Sequence, residues 1–265
     1  MTARAPYYRS DLAWVHHVGY AGHVDNTQRG IVARLRQHGM APGGRVLDVG
    51  CGSGLLARVL CDAGYAVAGI DASPAMIDLA RVHAPGADFR VAGLPVRRAP
   101  GTDGGLPMAD AVVSTGHVLN YLGTRDDVDL ALAEIAAALR PGGLLAIDLM
   151  TERFAEARDL RHPHARVEDD WAIVTHFSRP GPHRFDRDIT VFRRIGDAWR
   201  RSDEHHGNVT FDADEALEVL RNNGVDARCE PAFGDETLPE GLVVLAGVKR
   251  EPDLGRPLSA HRPTA

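Results

Sequence analysis

The chain has 265 residues, 44% of them hydrophobic and 25% charged, with a formal net charge of −6. That length suits one large α/β domain, alone or with a small insertion, and the acidic balance argues against a broad nucleic-acid-binding surface. Cys51, Cys61 and Cys229 show no metal-like spacing and cannot all pair within the chain, and no apolar run approaches a bilayer span, so a cytoplasmic protein in a reducing compartment and without a membrane partner is expected.

Residues 1–40 read as a helical segment. The pattern from Ser10 to Gly39 is helical, with Leu12, Val15 and Val18 on one side and Ile31, Val32 and Leu35 further on. Gly19-Tyr20-Ala21-Gly22 should break it into two helices. This part is rich in aromatic and imidazole groups: Tyr7, Tyr8, Trp14, His16, His17, Tyr20 and His23.

The stretch Arg45–Asp71, RVLDVGCGSGLLARVLCDAGYAVAGID, carries the strongest pattern in the chain. A short apolar strand meets Asp48 and then the alternating Gly50, Gly52 and Gly54. A helix from Leu55 to Asp62 comes next, with Gly64 placed to cap it, and a second strand ends on Asp71. Strand, glycine loop, helix, strand and acid make the first half of a nucleotide-binding α/β sheet. Glycines admit a close ligand, the free N–H groups of a helix start suit a carboxylate or phosphate, and an acid about 20 residues on can take ribose hydroxyls. The spacing here is G-x-G-x-G rather than the G-x-G-x-x-G of a dinucleotide loop. A nucleoside with an amino-acid tail has no pyrophosphate to cradle, and Asp48 can then bind its ammonium directly or through water.

The segments Asp48–Gly54 (DVGCGSG) and Ile70–Met76 (IDASPAM) resemble the signature and acidic segment of the class I S-adenosylmethionine-dependent methyltransferases. The resemblance implies a Rossmann-like, doubly wound, seven-stranded α/β sheet, with S-adenosylmethionine as cofactor and S-adenosylhomocysteine as product. It assigns Asp48, Gly50, Cys51, Gly52, Gly54 and Asp71 to the cofactor, and Ala72 and Met76, with Ser73, to the adenine wall. It also implies that residues 1–40 form a lid, with Tyr20 at the methionine end of the cofactor and Tyr7, Trp14 and His17 facing the substrate.

Ser73 and Pro74 should start a helix with Met76, Ile77, Leu79 and Ala80 on its apolar face. The third strand, Asp88–Gly93, departs from the family: Gly93-Leu94 stands where many members carry an acid for the adenine amino group. Backbone and apolar contacts at Gly93 and Leu94 then replace it. Arg97–Leu106 reads as a polar loop. The fourth strand, Ala109–Gly116, runs into His117-Val118-Leu119-Asn120-Tyr121-Leu122. Because ligands sit beyond the carboxyl ends of such strands, Thr115 and Gly116 are assigned to the cofactor, Asn120 and Tyr121 to the substrate, and His117 to base or substrate duty. A helix from Asp126 to Leu139 stops at Arg140-Pro141-Gly142-Gly143, and Leu144–Leu149 is the fifth strand.

After Met150 the pattern changes. Trp171–Phe177 alternates as a strand, and Asp188–Ile195 and Ala198–Arg201 pair across Gly196-Asp197. Residues 151–207 are therefore expected to be an inserted antiparallel layer over the pocket. Residues 41–150 and 208–250 form the methyltransferase domain, and 251–265 a disordered tail. Arg193, Arg194, Arg200 and Arg201 read as an exposed basic edge. Glu204 and His206 alternate onto one face and are, with His117, the candidate catalytic groups. The histidine pairs His16-His17, His162 with His164 and His205-His206 lack zinc-site spacing, so no metal is expected.

The reading is methyl transfer to a nitrogen or oxygen of a small molecule, by a monomer or homodimer without a nucleic-acid partner. A nicotinamide-dependent oxidoreductase and a non-catalytic cofactor-binding or scaffold subunit are the alternatives.

Overall fold

Alternation along the first strand sets the architecture. In β1 (Arg45–Val49), Val46 is buried on one face of the sheet and Leu47 and Val49 on the other. A strand buried on both faces calls for helices on both sides, the doubly wound arrangement. The computed structural model describes residues 7–96 and 104–251, so the tail and most of the polar loop after the third strand lie outside the described residues.

The chain opens with α1 (Ser10–Gly19) and α2 (Ala21–Gln37), broken at Tyr20 as expected. After β1 come α3 (Leu55–Asp62), β2 (Ala66–Asp71), α4 (Pro74–His83), β3 (Asp88–Val91) and β4 (Ala109–Ser114). A 3-10 turn at Val118–Tyr121 leads to α5 (Arg125–Ala138) and β5 (Leu139–Met150). Then come α6 (Glu152–Glu156), β6 (His164–Val167), β7 (Trp171–Ser178), β8 (Arg184–Ile195), β9 (Ala198–Val209), α7 (Ala213–Asn222), β10 (Val225–Glu230) and β11 (Leu242–Lys249).

Seven strands form one sheet in the order β10-β11-β5-β4-β1-β2-β3. β1 pairs in parallel with both β2 and β4, and β11 is antiparallel to β5 and β10. On one face Leu47, Val49, Val112 and Leu145 pack with Leu132 and Ile135 of α5 and with Leu217 and Leu220 of α7. On the other, Val46, Val113 and Ala146 pack with Ile31 and Leu35 of α2 and with Leu56 and Leu60 of α3. Burying each such aliphatic side chain contributes about 1.5–3 kcal/mol.

The second sheet, β6-β7-β8-β9, is antiparallel throughout. Its Trp171, Ile173, Ile189 and Val191 pack on Leu12 and Val15 of α1. The sequence patterning misses α6 and β6, both short, in the polar stretch after Met150. It also separates α5 from β5 too widely. Leu139 already pairs with Ala109, and the next pairing is Leu144 with Ala111, so residues 140–143 bulge out of a strand that starts directly after the helix.

Arg200 and Arg201 stand on β9, an exposed edge strand as expected, whereas Arg193 and Arg194 lie on the inner strand β8, and all four are paired with carboxylates. Arg193 and Arg200, opposite each other in register, both reach the buried Asp11 of α1. Arg200 Nε donates to Asp11 Oδ2 at 2.8 Å. Arg194 pairs with Asp170 and Arg201 with Asp203.

Candidate active site

A cavity of about 480 Å3 opens at the carboxyl ends of β1 and β4, where the strand order reverses. This is the crevice in which open α/β sheets bind ligands. The glycine loop forms its floor, α1 and α2 one wall, and the face of β6, β7 and β8 its roof.

In the floor, Gly50, Gly52 and Gly54 all have positive φ, but for different reasons. A Cβ on Gly50 would collide with Val118, and one on Gly54 would press on Ala80 at 3.1 Å, whereas one on Gly52 would meet nothing within 4 Å. Gly52 is the glycine that leaves open space. Its N–H donates to Asp71 Oδ2 at 3.0 Å, while the Ser73 N–H donates to Asp71 Oδ1 at 2.8 Å. Asp48 lines the cavity although only 1% exposed, and its Oδ2 has no hydrogen-bond partner. Burial, reinforced by Asp71, pushes its carboxyl up to about 7. Burial also holds the Cys51 thiol well above its ordinary range, so that group lines the loop as a neutral thiol.

The tip of β4 is held by a carboxylate from the next strand. Gly116 and His117 are both left-handed, with φ +92 and +49. Their N–H groups donate to Asp148 Oδ2 at 2.9 Å and Oδ1 at 2.7 Å. Asp148 lies on β5 and is fully buried. A left-handed non-glycine residue costs on the order of 1–3 kcal/mol, which this pair of bonds offsets. The His117 ring then stacks on Tyr121, with ring planes 12° apart, lines the cavity and leaves its buried Nδ1 without a partner. Burial, together with the nearby Arg187 charge, holds its pKa well below the ordinary histidine value. Thr115 Oγ1 lies 2.9 Å from His23 Nε2.

On the wall, Leu12, His16 and Tyr20 form the stripe of α1 and its cap that faces the cavity. The rings of His16 and Tyr20 stack. Burial, then the neighbouring His23, lowers His16 to about 4. Tyr8 also lines the cavity, and its hydroxyl lies 2.6 Å from that of Tyr121. Arg187 of β8 reaches in from the roof and donates to the Tyr121 hydroxyl.

Known proteins resemble this chain in sequence and in fold. A methyltransferase domain model fits residues 47–147. A putative methyltransferase of Bacillus subtilis, YqeM, is 31% identical over 198 residues, covering 74% of this chain and 79% of that protein. The chain belongs to the class I S-adenosylmethionine-dependent methyltransferases. Solved structures agree on the fold. A methyltransferase from Clostridium acetobutylicum superposes with a TM-score of 0.75 at 15% identity, covering 90% of this chain and 98% of its own. The sugar N-methyltransferase KedS8 from Streptoalloteichus superposes with 0.72 at 21% identity, covering 95% and 98%. The methyltransferase uses S-adenosylmethionine as cofactor, and the oxidoreductase alternative falls with the family assignment.

Several residues singled out in the sequence lie elsewhere in the methyltransferase. Trp14 is off the cavity, packed against the Arg193 guanidinium 4.1 Å from its ring centroid. His17 faces away too, its Nδ1 2.9 Å from Ser53 Oγ and its ring against His83. Helix phase decides this: residues 12, 16 and 20 share one stripe, which 14 and 17 do not. The Tyr7 hydroxyl is tied to the Gly207 backbone, donating at 3.2 Å and accepting at 3.1 Å. Asn120 is fully buried as a clamp. Its Nδ2 donates to the Met150 carbonyl at 2.8 Å and the Val209 carbonyl at 2.6 Å, and its Oδ1 accepts from the Met150 N–H at 2.8 Å.

Glu204 and His206 do share a face, 2.9 Å apart, but that face meets the N-terminal segment. Glu204 accepts the Tyr8 and Arg9 N–H groups, each at 2.8 Å, and His206 has no exposed surface. Met76 is buried, at 2% exposure. The sequence patterning gives no role to Asp148 or Arg187 and names Tyr8 and His16 only as members of the aromatic and imidazole-rich segment. An acid inside the apolar run LLAIDLM was the one signal available for Asp148.

Proposed function

We propose that this enzyme methylates a nitrogen or oxygen of a small molecule held between the glycine loop and the four-stranded sheet. The observation that carries the reading is the buried, unpartnered His117 Nδ1 at the β4 tip, in the wall of the cavity.

The loop chemistry fits the cofactor. The orphaned Asp48 Oδ2 suits an ammonium group, either directly or through a water, and a cation beside it would hold that carboxyl ionised. Each Asp71 oxygen accepts one backbone N–H and keeps a further lone pair, the acceptor capacity that two ribose hydroxyls need. Gly50, Cys51, Gly52, Thr115 and Gly116 would line the cofactor, with Tyr20 across from them; Gly54 serves through its packing on Ala80. Ala72, Gly93 and Leu94 lie outside the residues that line the cavity; Ala72 and Gly93 face each other beyond Asp71, where they would flank the adenine. When bound, S-adenosylmethionine supplies a methyl group on a positively charged sulfur, which is already activated toward displacement.

The protein's remaining tasks are alignment and proton removal. The depressed pKa keeps His117 a neutral imidazole near pH 7, able to accept a hydrogen bond or a proton at Nδ1 from the acceptor's O–H or N–H. His16 is neutral as well and shapes the wall. Among the described residues no cluster of three or more His, Cys, Asp or Glu side chains is arranged to hold a metal.

The test is S-adenosylhomocysteine formation, with a matching mass gain in the acceptor, across a panel of amines, phenols and alcohols. In His117→Asn, a residue that tolerates the left-handed backbone, kcat should fall about 100-fold while S-adenosylhomocysteine affinity is unchanged. Unchanged kcat would remove His117 from the mechanism.

A further inference from the structure

We infer that the methyl acceptor is an amphipathic organic anion, its charged group seated on Arg187 and Arg158 and its apolar body against β7 and β8. The inference rests on the proposed reaction and adds the class of its substrate.

Charge is unevenly distributed around the cavity. Among the described lining residues the one carboxylate is Asp48, on the glycine-loop side, whereas Arg158, Arg166 and Arg187 line the opposite side. Arg166 is accounted for. Its Nε donates to Glu168 Oε1 at 2.8 Å, it also donates to the Gly19 carbonyl, and its guanidinium lies 5.0 Å from the Trp171 ring centroid. Arg187 and Arg158 have no carboxylate partner among the described residues. Arg187 donates to the Tyr121 phenol, lies 5.0 Å from that ring centroid and leaves its buried Nε unpartnered. Arg158 sits 4.0 Å over the Phe154 ring centroid.

The acids nearest in sequence are turned away. Asp186 and Asp188 flank Arg187 on β8, and alternation puts both on the other face, where they meet Arg184 and His205. Burial, and then Arg187, pushes the Arg158 pKa down, whereas Arg187, buried as it is, is held up by the Tyr121 and Tyr8 phenols. Uncompensated guanidinium groups in a partly buried cavity are costly. An anion removes that cost, and the planar fork of each group matches a carboxylate or a phosphate oxygen pair.

Beside this cationic corner Ile173, Phe177, Phe185 and Ile189 present an apolar wall. A purely hydrophilic acceptor would leave that wall unused, so a hydrocarbon or aromatic body carrying one anionic group fits both halves.

The test uses the full chain saturated with S-adenosylhomocysteine. Aryl and alkyl carboxylic acids are titrated against their primary amides, and the phosphate monoesters against their parent alcohols. The anions should bind at least about tenfold more tightly than their neutral partners. That preference should collapse to within about threefold in Arg187→Met and return in part in Arg187→Lys, with S-adenosylhomocysteine affinity unchanged. Preference confined to acids assigns a carboxylate, and preference confined to the esters a phosphoryl group. Arg158→Met carries the same reading if Arg187→Met does not fold. Equal binding of anions and neutral partners, or a preference that survives in both Met variants, overturns the inference. Loss of S-adenosylhomocysteine binding in Arg187→Met does so too, because Arg187 would then serve the cofactor. Failure of the proposed reaction is separate: anions would bind without any acceptor being methylated.

Discussion

Replacing Asp48 with asparagine should make the ligand-free protein more stable, and increasingly so as the pH rises. In the folded chain burial keeps the Asp48 carboxyl protonated up to about 7, whereas its ordinary value is 3.8. Between those values the folded state binds one proton more than the unfolded state, so stability falls with rising pH. At about 1.4 kcal/mol per pH unit, the loss from this group accumulates to about 4 kcal/mol by pH 7 and then levels off. Asparagine does not titrate and keeps the shape. Urea unfolding of the two proteins from pH 4 to pH 8 measures the gap, which should widen in favour of Asp48→Asn up to about pH 7. The same variant should bind S-adenosylmethionine less tightly by about 1.5–3 kcal/mol, the worth of a hydrogen bond to a charged group. A gap that stays flat with pH, or that favours the wild type increasingly, would refute the assignment of Asp48 as a buried, ligand-seeking carboxyl.

Two further substitutions probe the support of the site. Asp148→Asn leaves one oxygen for two N–H groups and turns an amide NH2 toward the other. Stability should fall by about 2–4 kcal/mol in a denaturant titration, and kcat should fall because the Gly116–His117 turn relaxes. Retained kcat with normal stability would show that the turn holds itself. Asn120→Ala strands the buried Met150 N–H and Val209 carbonyl and leaves the Met150 carbonyl with the Phe211 N–H alone, and should cost about 2–4 kcal/mol. A loss of substrate affinity with normal stability would instead return Asn120 to the binding surface.

How much of the fold and site was readable in the sequence depends on the kind of interaction involved. The glycine loop, the two acids and the positions of the parallel strands rest on local rules, G-x-G-x-G spacing, alternation and caps, and these are legible. The left-handed Gly52 and the Ser73 cap with Pro74 behind it are local in the same sense. What was not legible depends on which face meets which partner. The family resemblance points Trp14 and His17 at the substrate, but helix phase turns His16 inward beside the expected Tyr20. Glu204 and His206 came together as alternation required, yet the packing of the N-terminal segment closed that face. Asp11 pairs with Arg193 and Arg200 across more than 180 residues of sequence, a pairing that no local pattern encodes. Asn120 looked like a recognition residue because polar groups near a strand tip often are, and only its three backbone partners show it to be a clamp.

Calorimetric titration of S-adenosylmethionine into the wild type and Asp71→Ala tests the central claim most directly, with NAD as the comparison ligand. The account predicts binding of S-adenosylmethionine to the wild type, a loss of at least about tenfold in Asp71→Ala, and no binding of NAD. Binding of NAD in place of S-adenosylmethionine, or affinity indifferent to Asp71, would contradict it.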